Sequence, residues 1–261
     1  MRFLLSIIFF FLNAVAFAQQ QMGPYMAYGP ETKYFSTLNY RVYQSKNGYL
    51  WFGTTSGLIR FDGKRYINYF SNYANANSPA DNTIFDIAED KNGDLWFAGF
   101  YHGVTKYDQH TGRFKKYPVL SKDDNPYYGI NRILDDVQGN LWFATSGRGL
   151  AKYNFEKDSF ELFFPQPTEC RDGSIRGFNH ITDIEEDKND PGILWIGTFH
   201  GLYAFDKLKK SFTCYGSPPG KDLLITSIEH DNKGLLWLGS WGQRLNCFDL
   251  DKKKFIENKP V

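Results

Sequence analysis

One pattern recurs five times along the chain and limits the folds that it can adopt. Each copy combines an alternating apolar stretch, a turn rich in Asp, Asn and Gly, a second apolar stretch of the form L-W-[FIL]-[GA], and a later F-x-x-[YF]. The tryptophans at the centre of the copies are Trp51, Trp96, Trp142, Trp195 and Trp237, at spacings of 45, 46, 53 and 42 residues. A period of this length is typical of repeat proteins, in which each copy is one supersecondary unit.

Each copy is interpreted as four short strands joined by tight turns. The turn before the tryptophan strand has Asp first and Gly last, as in Asp90–Gly93, which is typical of hairpin turns. Aromatic residues make up 18% of the chain, and aromatic enrichment with 24 glycines favours strands over helices. Four strands in about 45 residues, repeated radially, predict an all-β fold, a β-propeller of about five four-stranded blades. A β-sandwich would not repeat its sequence at this period.

The same residues carry a family resemblance. The first copy contains LWFGTTSGL at Leu50–Leu58, and the general form D-x-x-G-[ND]-L-W-[FI]-[GA]-[TG], then G-L, then F-x-x-Y resembles the two-component regulator propeller repeat. This repeat occurs in the periplasmic sensor regions of sensor histidine kinases, including hybrid kinases. The resemblance spans about residues 38–258, with blades at about 38–70, 82–117, 131–163, 179–215 and 223–258. It implies a ligand-binding sensor of a two-component phosphorelay, with glycan fragments as input and with signalling through a changed arrangement of paired sensor regions.

The number of blades in the complete ring is open at this point. Relatives usually continue through two seven-bladed propellers, a membrane helix and a cytoplasmic kinase, whereas this sequence contains no kinase motif. Five copies could close as a ring of five, or they could be most of a ring of seven. Residues 33–38 look like a spare strand that could complete a last blade, although the fifth copy already has a fourth strand of its own. We therefore expect an incomplete seven-bladed propeller.

The amino terminus predicts export from the cytoplasm. A short positive start is followed by the apolar run Phe3–Leu12, and Ala16-Phe17-Ala18 places small residues where signal peptidase cuts. Residues 1–18 are therefore predicted to be a signal peptide and 19–37 a lead-in, which makes the chain periplasmic or secreted. Cys170, Cys214 and Cys247 allow one disulfide, but Cys214 and Cys247 lie in strand-like runs and are interpreted mainly as small core residues.

Ligand contacts are expected on the propeller face that carries the loops between second and third strands and the connections between blades. These segments are rich in aromatic side chains, which stack on sugar rings, and in Asn, Arg and His, which bind hydroxyl or acidic groups. The candidate ligand-binding residues are Tyr101, His102, Arg148, His200, Trp241 and Arg244. The connections between blades add a second set, namely Tyr73, Asn75, Asn77, Tyr127, Tyr128, Asn131, Arg171, Asp172, Arg176, Asn179 and His180. An oligosaccharide would suit such a mouth.

Other function classes receive less support. The formal net charge is +1 and the longest basic run is Lys252–Lys254, so general nucleic-acid binding is not expected. No cofactor or metal motif is present, and an enzyme is disfavoured because most acidic residues, Asp86 among them, are predicted at the first turns, on the opposite face. A secreted scaffold that binds carbohydrate or protein is the alternative to a sensor, and a lyase or hydrolase is less favoured. The expected partners are an oligosaccharide or other small ligand and either a second sensor copy or a membrane histidine kinase.

Overall fold

A computed structural model describes residues 38–117, 129–165, 179–218, 223–231, 233–242 and 245–256. Within these ranges the strands group into five four-stranded sheets. Blade 1 contains β1 (Asn39–Gln44), β2 (Leu50–Thr54), β3 (Gly57–Phe61) and β4 (Tyr66–Tyr69). Blade 2 contains β5 (Ile84–Glu89), β6 (Leu95–Gly99), β7 (Val104–Asp108) and β8 (Arg113–Tyr117). Blade 3 contains β9 (Ile130–Asp135), β10 (Leu141–Thr145), β11 (Leu150–Asn154) and β12 (Ser159–Phe163).

The last two blades follow the same plan. Blade 4 contains β13 (Ile181–Glu186), β14 (Ile193–Thr198), β15 (Gly201–Asp206) and β16 (Ser211–Gly216). Blade 5 contains β17 (Ile225–His230), β18 (Leu235–Ser240), β19 (Asn246–Asp249) and β20 (Lys254–Phe255). Every blade is an antiparallel meander in chain order, and the first strands of successive blades contact one another. The predicted all-β fold with about five propeller blades is confirmed.

In blades 2 to 5, an aspartate at the first turn holds the tryptophan of the same blade through a hydrogen bond to the indole. In blade 2, Asp90 Oδ1 accepts hydrogen bonds from the backbone N–H groups of Asn92 and Asp94, and Asp90 Oδ2 accepts one from the Trp96 indole at 2.8 Å. The same carboxylate–indole bond joins Asp136 to Trp142, Asp187 to Trp195 and Asp231 to Trp237. Blade 1 replaces the aspartate with Ser45, whose hydroxyl lies 3.3 Å from the Trp51 indole nitrogen. The repeated Asp therefore closes the turn and fixes the tryptophan rotamer together.

The tryptophans of blades 1 to 4 then pack against the following blade. The ring centroid of Trp51 lies 5.3 Å from that of Tyr107, and the centroid of Trp96 lies 4.6 Å from that of Tyr153. Trp142 meets Phe205 at 5.6 Å and Trp195 meets Phe248 at 5.5 Å. These four indoles are at most 2% exposed. Because burial of large aromatic rings contributes strongly to core energetics, this repeated contact is a major stabilising interaction between blades.

In the first and fifth blades, some apolar positions that neighbouring blades bury elsewhere in the protein are more exposed to solvent. Val42 of β1 is 55% exposed, whereas Ile87 and Ile133 at the same register are 1% and 4% exposed. Trp237 of blade 5 is only half-buried. The seven-blade ring stays a prediction, and residues 33–37 of the proposed spare strand lie outside the described residues.

The cysteines depart in part from expectation. Cys247 is 4% exposed and carries a free thiol, as predicted for a small core residue. Cys214 packs against a hydrophobic core cluster, as expected, but it is only partly buried and is also disulfide-bonded, so the disulfide that the sequence left open is present. Both properties fit its position in β16, the fourth strand of its blade, which pairs with only one neighbouring strand. Its disulfide partner lies outside the described residues.

Candidate functional site at the loop face

The candidate site lies on the face that carries the loops between second and third strands, which we call the loop face. Antiparallel meander order places these loops and the connections between blades at one end of every sheet. The aspartate turns lie at the opposite end. A register shift near the start of the first strand in all five blades locally breaks the regular pairing at the loop face. Such bulges re-aim side chains, and in blades 1 and 2 the residues at the shift are Tyr40 and Phe85.

Six rings form a continuous series across blades 1 and 2, which we call the aromatic row. Successive ring centroids are separated by 4.6, 4.9, 4.3, 6.2 and 5.5 Å. The members, in spatial order, are Tyr40, Phe85, Phe100, Tyr101, His102 and Tyr73. Tyr40, Tyr101 and Tyr73 are 48%, 40% and 80% exposed. Neighbouring ring planes are 62–82° apart, so each exposed tyrosine can offer its own flat face for stacking against the apolar face of a sugar ring.

A buried carboxylate holds the middle of the aromatic row. Asp81 is 5% exposed, and its Oδ2 accepts the backbone N–H groups of Tyr101 at 2.6 Å and His102 at 3.2 Å. Its Oδ1 accepts the N–H of Thr83 at 3.0 Å. Gly99 makes room for this arrangement, since a Cβ there would lie 2.9 Å from the Cβ of Asp81. Asp81 therefore fixes the backbone that presents Tyr101 and His102.

The outer end of the aromatic row borders a pocket. The connection between β4 and β5 forms a pocket with a volume of about 680 Å³. Its lining includes Phe70, Tyr73, Asn75 and Phe114. Tyr73 lines this pocket and also places its hydroxyl 2.6 Å from His102 Nε2. One residue thus connects the aromatic row with the pocket.

A smaller patch lies farther round the loop face. The rings of His180 and Phe199 stack with centroids 3.9 Å apart and planes 21° from parallel. Burial lowers the pKa of His180, which favours the neutral imidazole at neutral pH. Trp241, in the loop after β18, is 78% exposed. Blades 4 and 5 therefore add aromatic surface of their own.

The predicted ligand residues are only partly brought together. Tyr101 and His102 are neighbours in the aromatic row, while Arg148, His200 and Trp241 lie in the corresponding loops of blades 3, 4 and 5. Arg244 lies outside the described residues, as do Tyr127, Tyr128, Arg171, Asp172 and Arg176. Of the predicted residues between blades, Tyr73 joins the aromatic row and His180 the smaller patch. Asn77 has a structural bond instead, because its Oδ1 accepts the Phe114 N–H at 2.7 Å.

In the first strands of blades 1 to 4, one equivalent position carries Arg, Asp, Arg and Asp in turn. Arg41 Nε lies 3.0 Å from Asp86 Oδ1, and Arg132 lies 3.5 Å from Asp86 and 3.4 Å from Asp183. Asp86 and Asp183 also accept N–H bonds from the next blade. Burial raises the pKa of both carboxyls, and that of Asp183 reaches about 6. Asp86 was expected beside the first turn, but it lies in the middle of β5 because the apolar run begins two residues earlier.

The comparisons with known proteins agree with this architecture. Residues 78–101, which include Phe85, Phe100 and Tyr101 of the aromatic row, match the family described as two component regulator propeller. This stretch is similar to the two-component regulator propeller repeat. No curated protein matches the sequence.

Three solved structures show the breadth of the fold. The extracellular domain of the proposed hybrid two component system BT3049 from B. thetaiotaomicron is 22% identical, with a TM-score of 0.69 over 85% of this chain and 30% of that one. PorZ, a surface component of the type-IX secretion system of Porphyromonas gingivalis, is 18% identical, with a TM-score of 0.57 over 81% and 32%. A catalytically inactive virginiamycin B lyase from Staphylococcus aureus is 16% identical, with a TM-score of 0.59 over 87% and 71%.

These similarities establish the propeller fold, and function has to be inferred from the residues of the candidate site. The chain spans about a third of the length of the solved BT3049 extracellular domain and of the solved PorZ chain. The proteins named above include the extracellular domain of a two component system, a secretion-system component and a lyase, so one fold carries several functions. Among the described residues no helix is long and apolar enough to cross a membrane. The predicted signal peptide at 1–18 lies outside the described residues.

Proposed function

We propose that this chain is a ligand-binding sensor propeller of two-component signal transduction that acts outside the cytoplasm and recognises oligosaccharides. The observation that carries the proposal is the aromatic row, since three of its tyrosines are exposed and its middle is held by a buried carboxylate. A rigid, partly exposed aromatic surface binds sugar rings at a small cost in conformational entropy. The two-component regulator propeller repeat supports the signalling context.

In this proposal the chain binds and does not catalyse. Glycoside hydrolysis requires two carboxyl groups placed on either side of the scissile bond. Asp81 accepts hydrogen bonds from backbone N–H groups, and Asp86 and Asp183 face arginines. The kinase activity would belong to a cytoplasmic region or a partner, and ligand binding would act by changing how paired sensor regions are arranged.

The test is binding of a panel of glucan, xylan, mannan and galacturonan oligosaccharides to the purified protein, measured by calorimetry and by thermal shift. A saturable rise in melting temperature with one class supports the proposal, because ligand binding to the folded state raises stability. Tyr101→Ala should weaken that binding about tenfold or more by removing a stacking ring. Leu208→Ala is the matched control, since Leu208 is 90% exposed in a turn at the opposite face.

The alternative, a scaffold that binds protein, predicts a different result. No oligosaccharide would then change the melting temperature, although the protein would still unfold in one sharp transition. That outcome would refute oligosaccharide recognition and leave the propeller fold intact.

A further inference from the structure

Tyr73 holds an unusual position for a residue so exposed. Its side chain is 80% exposed, yet its hydroxyl lies 2.6 Å from Nε2 of His102 and its ring meets the imidazole edge to face at 5.5 Å. The hydroxyl is thus hydrogen-bonded to Nε2, the ring nitrogen of His102 that faces away from Asp81.

We propose that His102 Nε2 is a binding position for a hydroxyl group of an uncharged sugar, and that Tyr73 occupies this position until the sugar displaces it. The inference deepens the proposed function and rests on it. A phenol and a sugar hydroxyl offer the same chemistry, one O–H donor and an acceptor oxygen, so one can replace the other at the imidazole.

The orientation of His102 supports a role in binding. Its backbone N–H is held by Asp81 Oδ2, and its Nδ1 lies 3.5 Å from that same oxygen. Nε2 is therefore the ring nitrogen on the side away from this carboxylate, and it faces the Tyr73 hydroxyl at the exposed end of the aromatic row. Tyr101 is the next ring of the row, so a sugar stacked on Tyr101 would bring its hydroxyl groups beside Nε2.

The loop can release Tyr73 without unfolding. Ser78 Oγ accepts the backbone N–H of Asn72 at 3.0 Å, and Lys116 Nζ donates to the carbonyls of Asn72 and Asn75 at 2.9 and 3.0 Å. These bonds fix the backbone on both sides of Tyr73, so rotation of one side chain is sufficient. The adjoining pocket of about 680 Å³, which Tyr73 already lines, has space for the displaced ring.

The charge of the site indicates an uncharged sugar. The Asp81 carboxylate lies beneath the aromatic row, and its side chain is 6% exposed. A second carboxylate at Nε2 would be brought close to that buried charge at a cost, whereas a neutral hydroxyl would not.

The experiment compares Tyr73→Phe, His102→Ala and the wild type against the same panel of neutral and acidic oligosaccharides, with calorimetry as the readout. Tyr73→Phe keeps the ring but removes the competing hydroxyl, so affinity for a neutral oligosaccharide should rise about two- to tenfold. His102→Ala should lower that affinity, because the hydroxyl-binding nitrogen is gone. Tyr49→Phe is the matched control, since it removes a tyrosine hydroxyl next to the turn between β1 and β2, at the opposite end of the blade.

The outcomes separate this inference from the proposed function. Binding that depends on Tyr101 but is unchanged or weakened in Tyr73→Phe would overturn the inference alone. Tighter binding of galacturonan than of neutral oligosaccharides would also overturn it. If no oligosaccharide binds the wild type or either variant, the proposed function fails as well.

Discussion

Glu185 occupies a position in blade 4 at which the first three blades carry an uncharged residue, and its replacement should stabilise the protein at high pH. Glu185 pairs across the sheet with Trp195, as Tyr43, Ala88 and Leu134 pair with the tryptophans of blades 1 to 3. Burial raises the pKa of Glu185 to about 7, with further contributions from Glu229 and Asp183. The carboxyl therefore ionises at a half-buried site that disfavours its charge.

The sign of the effect follows from the two pKa values. The ordinary value is 4.5, so between pH 4.5 and about 7 the folded state holds a proton that the unfolded state has released. Stability then falls as pH rises through this window, and the loss is complete above pH 7. The full shift would correspond to about 3 kcal/mol, and partial exposure to water reduces this to about 1–2 kcal/mol.

Glu185→Gln removes the ionisation and should therefore raise the unfolding free energy by about 1–2 kcal/mol at pH 8, with a much smaller gain at pH 5. Urea denaturation at both pH values measures the difference. Glu156→Gln serves as a control, because Glu156 is exposed in a turn of blade 3 and its replacement should change stability little at either pH. An equal gain at pH 5 and pH 8, or no gain at pH 8, would refute the argument from burial and charge.

Two further predictions concern the blades and the cysteines. Trp142→Ala should lower the unfolding free energy by about 3–5 kcal/mol. Trp237→Ala should lower it clearly less, because Trp237 is half-buried. Equal losses in urea denaturation would contradict the argument that packing against the next blade accounts for the stabilisation. Thiol titration of the unfolded, unreduced protein should detect one cysteine, and Cys247→Ser should abolish the signal, whereas three titratable thiols would contradict the disulfide of Cys214.

The fold could be predicted from sequence because the repeat is short and each copy contains the same turn and strand residues. The tryptophan spacing, the Asp-x-x-Gly turns and the aromatic fourth strands all indicate a four-stranded unit. The bond from Asp90 to the Trp96 indole was not predicted, although both residues belong to the repeated pattern. Turn chemistry alone explained the aspartate, so nothing in the sequence required a second role for it.

The candidate site could be predicted only where the pattern places residues in loops. Tyr101 and His102 follow the second strand of blade 2 and were therefore expected at the loop face. Tyr40 and Phe85 belong to apolar strands, and only the register shift brings them into the aromatic row. Asp81 lies in a connection without a repeated pattern, and its bond to the Tyr101 N–H joins residues 20 positions apart. A contact of that kind depends on the folded path of the chain.

The turn end of each blade stabilises the packing between blades, whereas the loop face presents side chains that differ from blade to blade. This division explains how one repeat can serve several functions. At the turn end, the bond from Asp to Trp recurs in blades 2 to 5, so changes there affect packing between blades. At the loop face, the loops after the second strands contain Phe100-Tyr101-His102 in blade 2, Ser146-Gly147-Arg148 in blade 3 and Phe199-His200 in blade 4. Since these loops differ while the strands beneath them keep one register, side chains at the loop face can change with little effect on the tryptophan contacts. Tyr73→Phe and Trp142→Ala therefore probe separable properties, the first altering affinity with little change in stability and the second altering stability.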